Sequence, residues 1–220
     1  FDYDPEATAP TFQAYLDRVQ PDQDRQRILA ECVAYLFVST GTLKLEKVPL
    51  LYGTGANGKS VFFDVVNALL GGGANVSSFT LQQLTAESGY FRAKIANKLV
   101  NYASEINGKM DAAIFKALAS GEPVSARLPY GEPFTVTRYA KLMFNCNELP
   151  REVEQTDAFF RRFLLVPFDV TIPEGEQDKG LPGKIIGKEL SGVFNWVLGG
   201  LHRLLRQERY TDSRAVREAL

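Results

Sequence analysis

Residues 50–63 read LLYGTGANGKSVFF, three glycines, an asparagine, a lysine and a serine set between two apolar runs. Burying so polar and flexible a patch for packing alone is costly, so its composition calls for a ligand or a special turn. Gly53 to Ser60 fit the pattern G-x-x-x-x-G-K-[ST], directly after a strand-like run and directly before an amphipathic helical one. That order restricts the fold to a strand–turn–helix unit. Its glycines let consecutive backbone N–H groups face an anion, assisted by the positive end of the following helix. The span Gly53, Thr54, Gly55, Ala56, Asn57, Gly58, Lys59, Ser60 and Val61 is therefore a candidate cradle for a nucleoside triphosphate. Lys59 would reach the β- and γ-phosphates and the Ser60 hydroxyl would ligate Mg²⁺. A glycine-rich turn followed by Lys-Ser through chance alone is the bland alternative.

The remaining chain supports an α/β reading. Phe12, Tyr15, Leu16 and Val19 recur at helical spacing after Pro10, and Pro21 ends that run. Asp22 or Asp24 can cap a second helix with Ile28, Leu29, Cys32, Val33 and Leu36 on its apolar face. Five apolar segments then suggest strands: VPLLY from 48, NVSSF from 75, KLVNYA from 98, AKLMFN from 140 and FLLVPF from 163, the second being the poorest match. Strands alternating with helices predict a five-stranded, mainly parallel sheet covered by helices. DAAIFKALASG reads as a helix capped by Asp111 and closed near Gly121. Residues 122–138 alternate on both sides of PYGE, which predicts a projecting hairpin. Beyond Pro182 a helical pattern places Val193, Trp196, Val197, Leu201, Leu204 and Leu205 on one side. The expected organisation is a helical leader over 1–43, a core over 44–172 with the hairpin at 122–138, and a helical C-terminal region over 173–220.

A phosphate cradle binds without hydrolysing. In open parallel sheets, ligands lie beyond the carboxyl ends of the strands, so polar residues following the other strands are the candidate catalytic groups. NYASEIN delivers Glu105, able to polarise water and help hold hydrated metal. LMFNCNELP delivers Asn147, able to orient that water or touch the γ-phosphate. A solvated strand-end acid and a turn asparagine are the plain alternatives. Arg161 and Arg162 stand at the start of the last strand, at the edge opposite Lys59. They suit another subunit's nucleotide better than their own, where an arginine supplied in trans contributes about 10³–10⁵ in rate; the alternative is a surface pair facing acidic side chains.

With 25 Lys and Arg against 26 Asp and Glu, the net charge of −1 advertises no basic stripe, so any nucleic-acid surface must be local. One histidine and two cysteines, Cys32 and Cys146, make a Cys/His zinc site improbable and predict reduced core thiols of an intracellular, cytoplasmic protein. No apolar run has the length of a membrane span. The opening FDYDPEATAP lacks a secretion-signal pattern and is expected to be a cut end within a longer polypeptide.

In this order, LLYGTGANGKS, NYASEIN, FKALASGEPVSARLPYGEPF, LMFNCNELP, FFRRFLLVPF and GKELSGVFNWVLGGLHRLL resemble the superfamily 3 helicases of the AAA+ class. They are most similar to the C-terminal helicase domain of phage and plasmid primase-helicases, related to the poxvirus primase-helicase. The resemblance implies an AAA+-like P-loop NTPase that uses ATP and Mg²⁺ to translocate on single-stranded DNA in a bacterial or phage-infected cell. It also implies a ring of like subunits, hexameric in the family, and a primase domain upstream. It makes Lys59 and Ser60 the Walker A residues, Glu105 the Walker B glutamate and Asn147 the γ-phosphate sensor. Arg162 becomes the finger, with Arg161 as the alternative. Lys116 to Phe134 match the segment whose hairpin lines the channel, so Lys116, Arg127, Tyr130 and Arg138 are the expected DNA contacts. One departure stands out: Ser104 occupies a position usually acidic, leaving metal binding to Ser60, Glu105, phosphates and waters. Two other readings fit the phosphate loop by itself: a small-molecule kinase, and an assembly module switched by nucleotide without hydrolysis.

Overall fold

The computed structural model describes residues 1–104, 106, 110–147 and 160–219. Five parallel strands form the central sheet: β1 (Val48–Tyr52), β2 (Val76–Ser77), β3 (Val100–Ala103), β6 (Lys141–Cys146) and β7 (Phe163–Pro167), in the order β2-β3-β6-β1-β7. The register sets Leu51 beside Asn145 and Val166, and Tyr102 beside Met143. All four pairings are parallel, and each strand is buried along most of its length, as expected for a sheet covered on both faces. The segment at 75–79 contributes only the two residues of β2.

One face carries α1 (Pro10–Val19), α2 (Gln23–Tyr35) and α3 (Lys59–Leu69), together with α7 (Leu181–Lys188) and α8 (Leu190–Gln207). The other carries α4 (Leu81–Thr85), α5 (Tyr90–Lys94), α6 (Ala112–Ser120) and a separate antiparallel pair, β4 (Val124–Arg127) and β5 (Pro133–Val136). The short helix α9 (Arg214–Glu218) packs near β7. Phe12, Tyr15, Leu16 and Val19 are buried on α1, as their spacing requires. Asp22 caps α2 through the N–H groups of Asp24 and Arg25, Asp111 caps α6, and Gly121 closes α6.

The C-terminal helical pattern is broken at Glu189, and Leu205 lies exposed rather than with the apolar side of α8. The break has a tertiary cause. Glu189 turns its carboxylate onto the N–H groups of Thr11 and Phe12, at 3.1 and 2.9 Å, and so caps α1 from 177 residues away. Asn195 donates to the carbonyls of Asp4, Pro5 and Ala7, holding the preceding segment along α8. Gly192 permits that approach, because a Cβ there would lie 2.3 Å from the Thr8 carbonyl carbon and oxygen. Glu31 on α2 is fully buried and accepts from Arg203, Gln207 and Thr211, joining α2 to α8. The leader and the C-terminal helices thus form a continuous layer over the face that carries α3. Cys32 and Cys146 are both buried, and neither is in a disulfide among the described residues.

Candidate functional site

The carboxyl ends of β1, β3 and β6 meet at a cavity of about 690 Å³. Gly55 to Val61 form its floor, and Ser104, Asn145 and Asn147 close it from the neighbouring strands. Thr54 is exposed and does not line the cavity, while Gly53 is buried behind the loop. Gly55, Ala56 and Gly58 all have positive φ, at 114°, 49° and 84°, which curls the loop ahead of α3. Gly58 is required twice over: its φ is left-handed, and a Cβ would meet Val19 Cγ1 at 2.8 Å.

Lys59 is buried at the first position of α3, where its Nζ donates to the Gly53 carbonyl at 2.5 Å and to Asn57 Oδ1 at 3.0 Å. Burial lowers its pKa, and the nearby Cys146 opposes that only in part. No carboxylate pairs with this ammonium among the described residues. An anion placed in the loop would therefore relieve a charge that is now held by dipoles alone. Ser60 is exposed at the cavity.

Two contributors were not singled out from the sequence. Asn145 borders the cavity, and its Oδ1 accepts from the fully buried Tyr102 hydroxyl at 2.8 Å. Its NH₂ is then the group left to donate toward the loop. Alternation along β6 could have flagged it, since Asn145 is a polar residue inside an apolar strand. The second is α1, whose Thr11, Ala14, Tyr15 and Arg18 form a wall of the cavity. Tyr15 donates its hydroxyl to the Gly58 carbonyl at 2.8 Å, and Arg18 pairs with Glu176 across the cavity mouth. No local pattern in the leader signals either contact.

Glu105 lies outside the described residues. Asn147 is exposed at the cavity rim. Arg161 and Arg162 precede β7, at the sheet edge opposite Lys59. Arg161 is exposed, whereas the Arg162 guanidinium is largely covered and lies 3.3 Å from Ser120 Oγ and 3.9 Å from Glu46.

The hairpin forms where the sequence placed it. Its turn, Leu128 to Gly131, is closed by the Gly131 N–H on the Leu128 carbonyl, and Arg127 Nε donates to the Gly131 carbonyl at 2.7 Å. Tyr130 stands fully exposed at the tip, with Leu128 and Phe134 also exposed. Arg138 is exposed at the hairpin base, while Lys116 sits half-buried on α6 and is not part of the hairpin. Among the described residues no group of three or more His, Cys, Asp or Glu is placed to hold a metal, and no helix is long and apolar enough to cross a membrane.

The sequence pattern of a family of unknown function (DUF5906) matches residues 51–162, just over half of the chain. The chain belongs to that family. Its matched region runs from β1 through the phosphate loop and hairpin to Arg162, and so takes in nearly every residue described above except the α1 wall. Among curated proteins, the putative helicase L207/L206 of Acanthamoeba polyphaga mimivirus is 26% identical over 171 residues, covering 73% of this chain. The chain spans 17% of that relative's length. Among solved structures, an apo form of the NrS-1 C-terminal region superposes with a TM-score of 0.65 at 14% identity, over 99% of this chain and 54% of that one. A second apo structure of the same region gives 0.66 at 14% identity, over 97% and 56%. At this identity the likeness is one of fold.

Proposed function

We propose that this chain is the ATP-hydrolysing motor of a DNA helicase, moving on single-stranded DNA as part of a larger replication polypeptide. The observation that carries the reading is the buried Lys59 ammonium, held among the described residues by Gly53 and Asn57 inside a positive-φ loop at the start of α3. The loop fits a triphosphate, since it offers backbone N–H groups, a helix N-terminus and a cation without a carboxylate partner among the described residues. The mimivirus relative, named as a putative helicase, supports the same reading.

Gly55 to Ser60 and Lys59 would hold the phosphates of ATP, and the Ser60 hydroxyl with water would hold Mg²⁺. The metal would supply charge neutralisation at the transferred phosphoryl group. Asn145 and Asn147 are placed to donate from the sheet side, and Glu105 is the general base for water by its position after β3. α1 and the segment at 176–182 would shelter the rest of the nucleotide.

An arginine from a neighbouring subunit completes the site in this reading. Arg161 is available at the surface, while Arg162 would first leave Glu46 and Ser120. Such an arrangement demands a ring of like subunits, hexameric by resemblance, with a primase domain upstream. The exposed Tyr130 and Arg127 would track the strand through stacking and phosphate contact.

The decisive test is ATPase rate against protein concentration, with and without single-stranded DNA, for the native chain and Lys59→Ala. A rate rising with both protein and DNA, and abolished in the variant, supports the motor. A rate indifferent to DNA and to protein concentration points to a small-molecule kinase, and an absence of phosphate release points to a nucleotide-switched module. Full unwinding by Lys59→Ala would falsify the proposal.

A further inference from the structure

A second cavity, of about 250 Å³, opens at the amino ends of the strands, on the sheet edge away from Lys59. It lies between the C-terminus of α2, the starts of β1, β3 and β6, and the end of α6. Every charged residue that lines it is a cation: Lys47, Lys98, Arg138 and Lys141. In a chain of net charge −1 this is a marked local excess. No carboxylate makes an ion pair with any of the four among the described residues.

The lysines are tethered rather than loose. Lys47 donates to the Arg161 carbonyl, Lys98 to Gly73 and Ala74, and Lys141 to Val38, with its Nζ also 4.5 Å from the centre of the Tyr35 ring. An ammonium has three donors, so each retains at least one. Burial lowers the pKa of both Lys47 and Lys141, the latter to about 8. Cations desolvated in a concave, low-dielectric site focus positive potential, and a bound anion would offset that cost. The cavity has room for a phosphate group and part of its sugar, but not for a duplex.

We propose that this cavity is a second anion site, in which Lys47, Lys98, Arg138 and Lys141 hold a backbone phosphate of a single-stranded polynucleotide. Arg138 and Thr137 directly follow β5, so a strand leaving the hairpin reaches the cavity without crossing the sheet. The phosphate chemistry stands on the cavity itself. Only the choice of polynucleotide over free phosphate rests on the hairpin's proposed role.

The test uses the whole chain, without ATP, and a fluorescein-labelled oligothymidylate read by anisotropy over a salt series. Lys98→Gln combined with Lys141→Met is expected to weaken binding at least about tenfold and to flatten the slope of log K against log salt by about 0.7, one phosphate contact's worth. Unchanged affinity and slope in a folded variant would overturn the proposal. Amine labelling of native Lys98 and Lys141 provides a second measurement. Protection by oligothymidylate supports the site, whereas protection by inorganic phosphate but not by oligothymidylate overturns the polynucleotide assignment. ATP hydrolysis measured without DNA reads the Lys59 cavity separately. A loss of oligonucleotide binding in the double variant therefore stands even if the motor reading fails.

Discussion

Tyr15 and Gly58 are 43 residues apart, yet the phenol donates to the glycine carbonyl at 2.8 Å and ties α1 to the last turn of the phosphate loop. Desolvation raises the Tyr15 pKa, so the group stays a neutral donor across the working range. Tyr15→Phe leaves that carbonyl without its partner and should cost about 1 kcal/mol of stability. If α1 positions the loop, nucleotide affinity should also fall several-fold, measured by titration calorimetry. Unchanged affinity with lowered stability would confine the bond to a structural role.

Glu189 stands behind the same contact. Its carboxylate caps α1 through Thr11 and Phe12, at a helix start with no side-chain cap of its own. Glu189→Ala should destabilise the fold by about 1–2 kcal/mol, seen as a lower denaturation midpoint. Protease sensitivity should rise first in residues 1–19. Glu189→Gln, which keeps the acceptor oxygen, should recover part of the loss.

Asn145 makes a sharper test of the cavity's electrostatics. Asn145→Asp preserves size and the bond from Tyr102, but sets a negative charge facing the proposed phosphates. Nucleotide binding should weaken at least about tenfold, equivalent to about 1.4 kcal/mol, with folding intact by circular dichroism. An affinity equal to that of the native chain would remove Asn145 from the site.

Lys141 predicts a pH dependence with a definite sign. Burial holds its folded pKa near about 8, against an ordinary 10.5. Below pH 8 the ammonium is charged in both states and the full desolvation penalty acts. Between pH 8 and 10.5 the unfolded chain binds more protons than the folded one, so this group's contribution to stability rises with pH. The linked change is on the order of 3 kcal/mol at most. Burial pushes the adjacent Tyr35 up as well. Lys141→Met should therefore gain most over the native chain at neutral pH, and the gap should narrow as pH approaches 10. Urea midpoints for both proteins at several pH values provide the measurement.

What the amino-acid order determined by itself is what arises within a few residues of chain. The Gly53–Ser60 turn, a cap on α2 from Asp22 or Asp24, the Asp111 cap, the Gly121 stop and the hairpin around Pro129–Gly131 each follow from local backbone preferences and short hydrogen bonds, and the structure selects Asp22. Periodicity also placed the buried faces of α1 and α2 and the five strands, because burial against any partner leaves the same pattern. Tertiary structure decided the rest. The break at Glu189, the α1 wall on the phosphate loop, the Asn145–Tyr102 pair and the convergence of four cations at the far edge join residues dozens to nearly two hundred positions apart. No repeat in the chain encodes such pairings. They appear only when the sheet order β2-β3-β6-β1-β7 brings distant strand ends together, and packing then sets which polar groups lose water and must find one another.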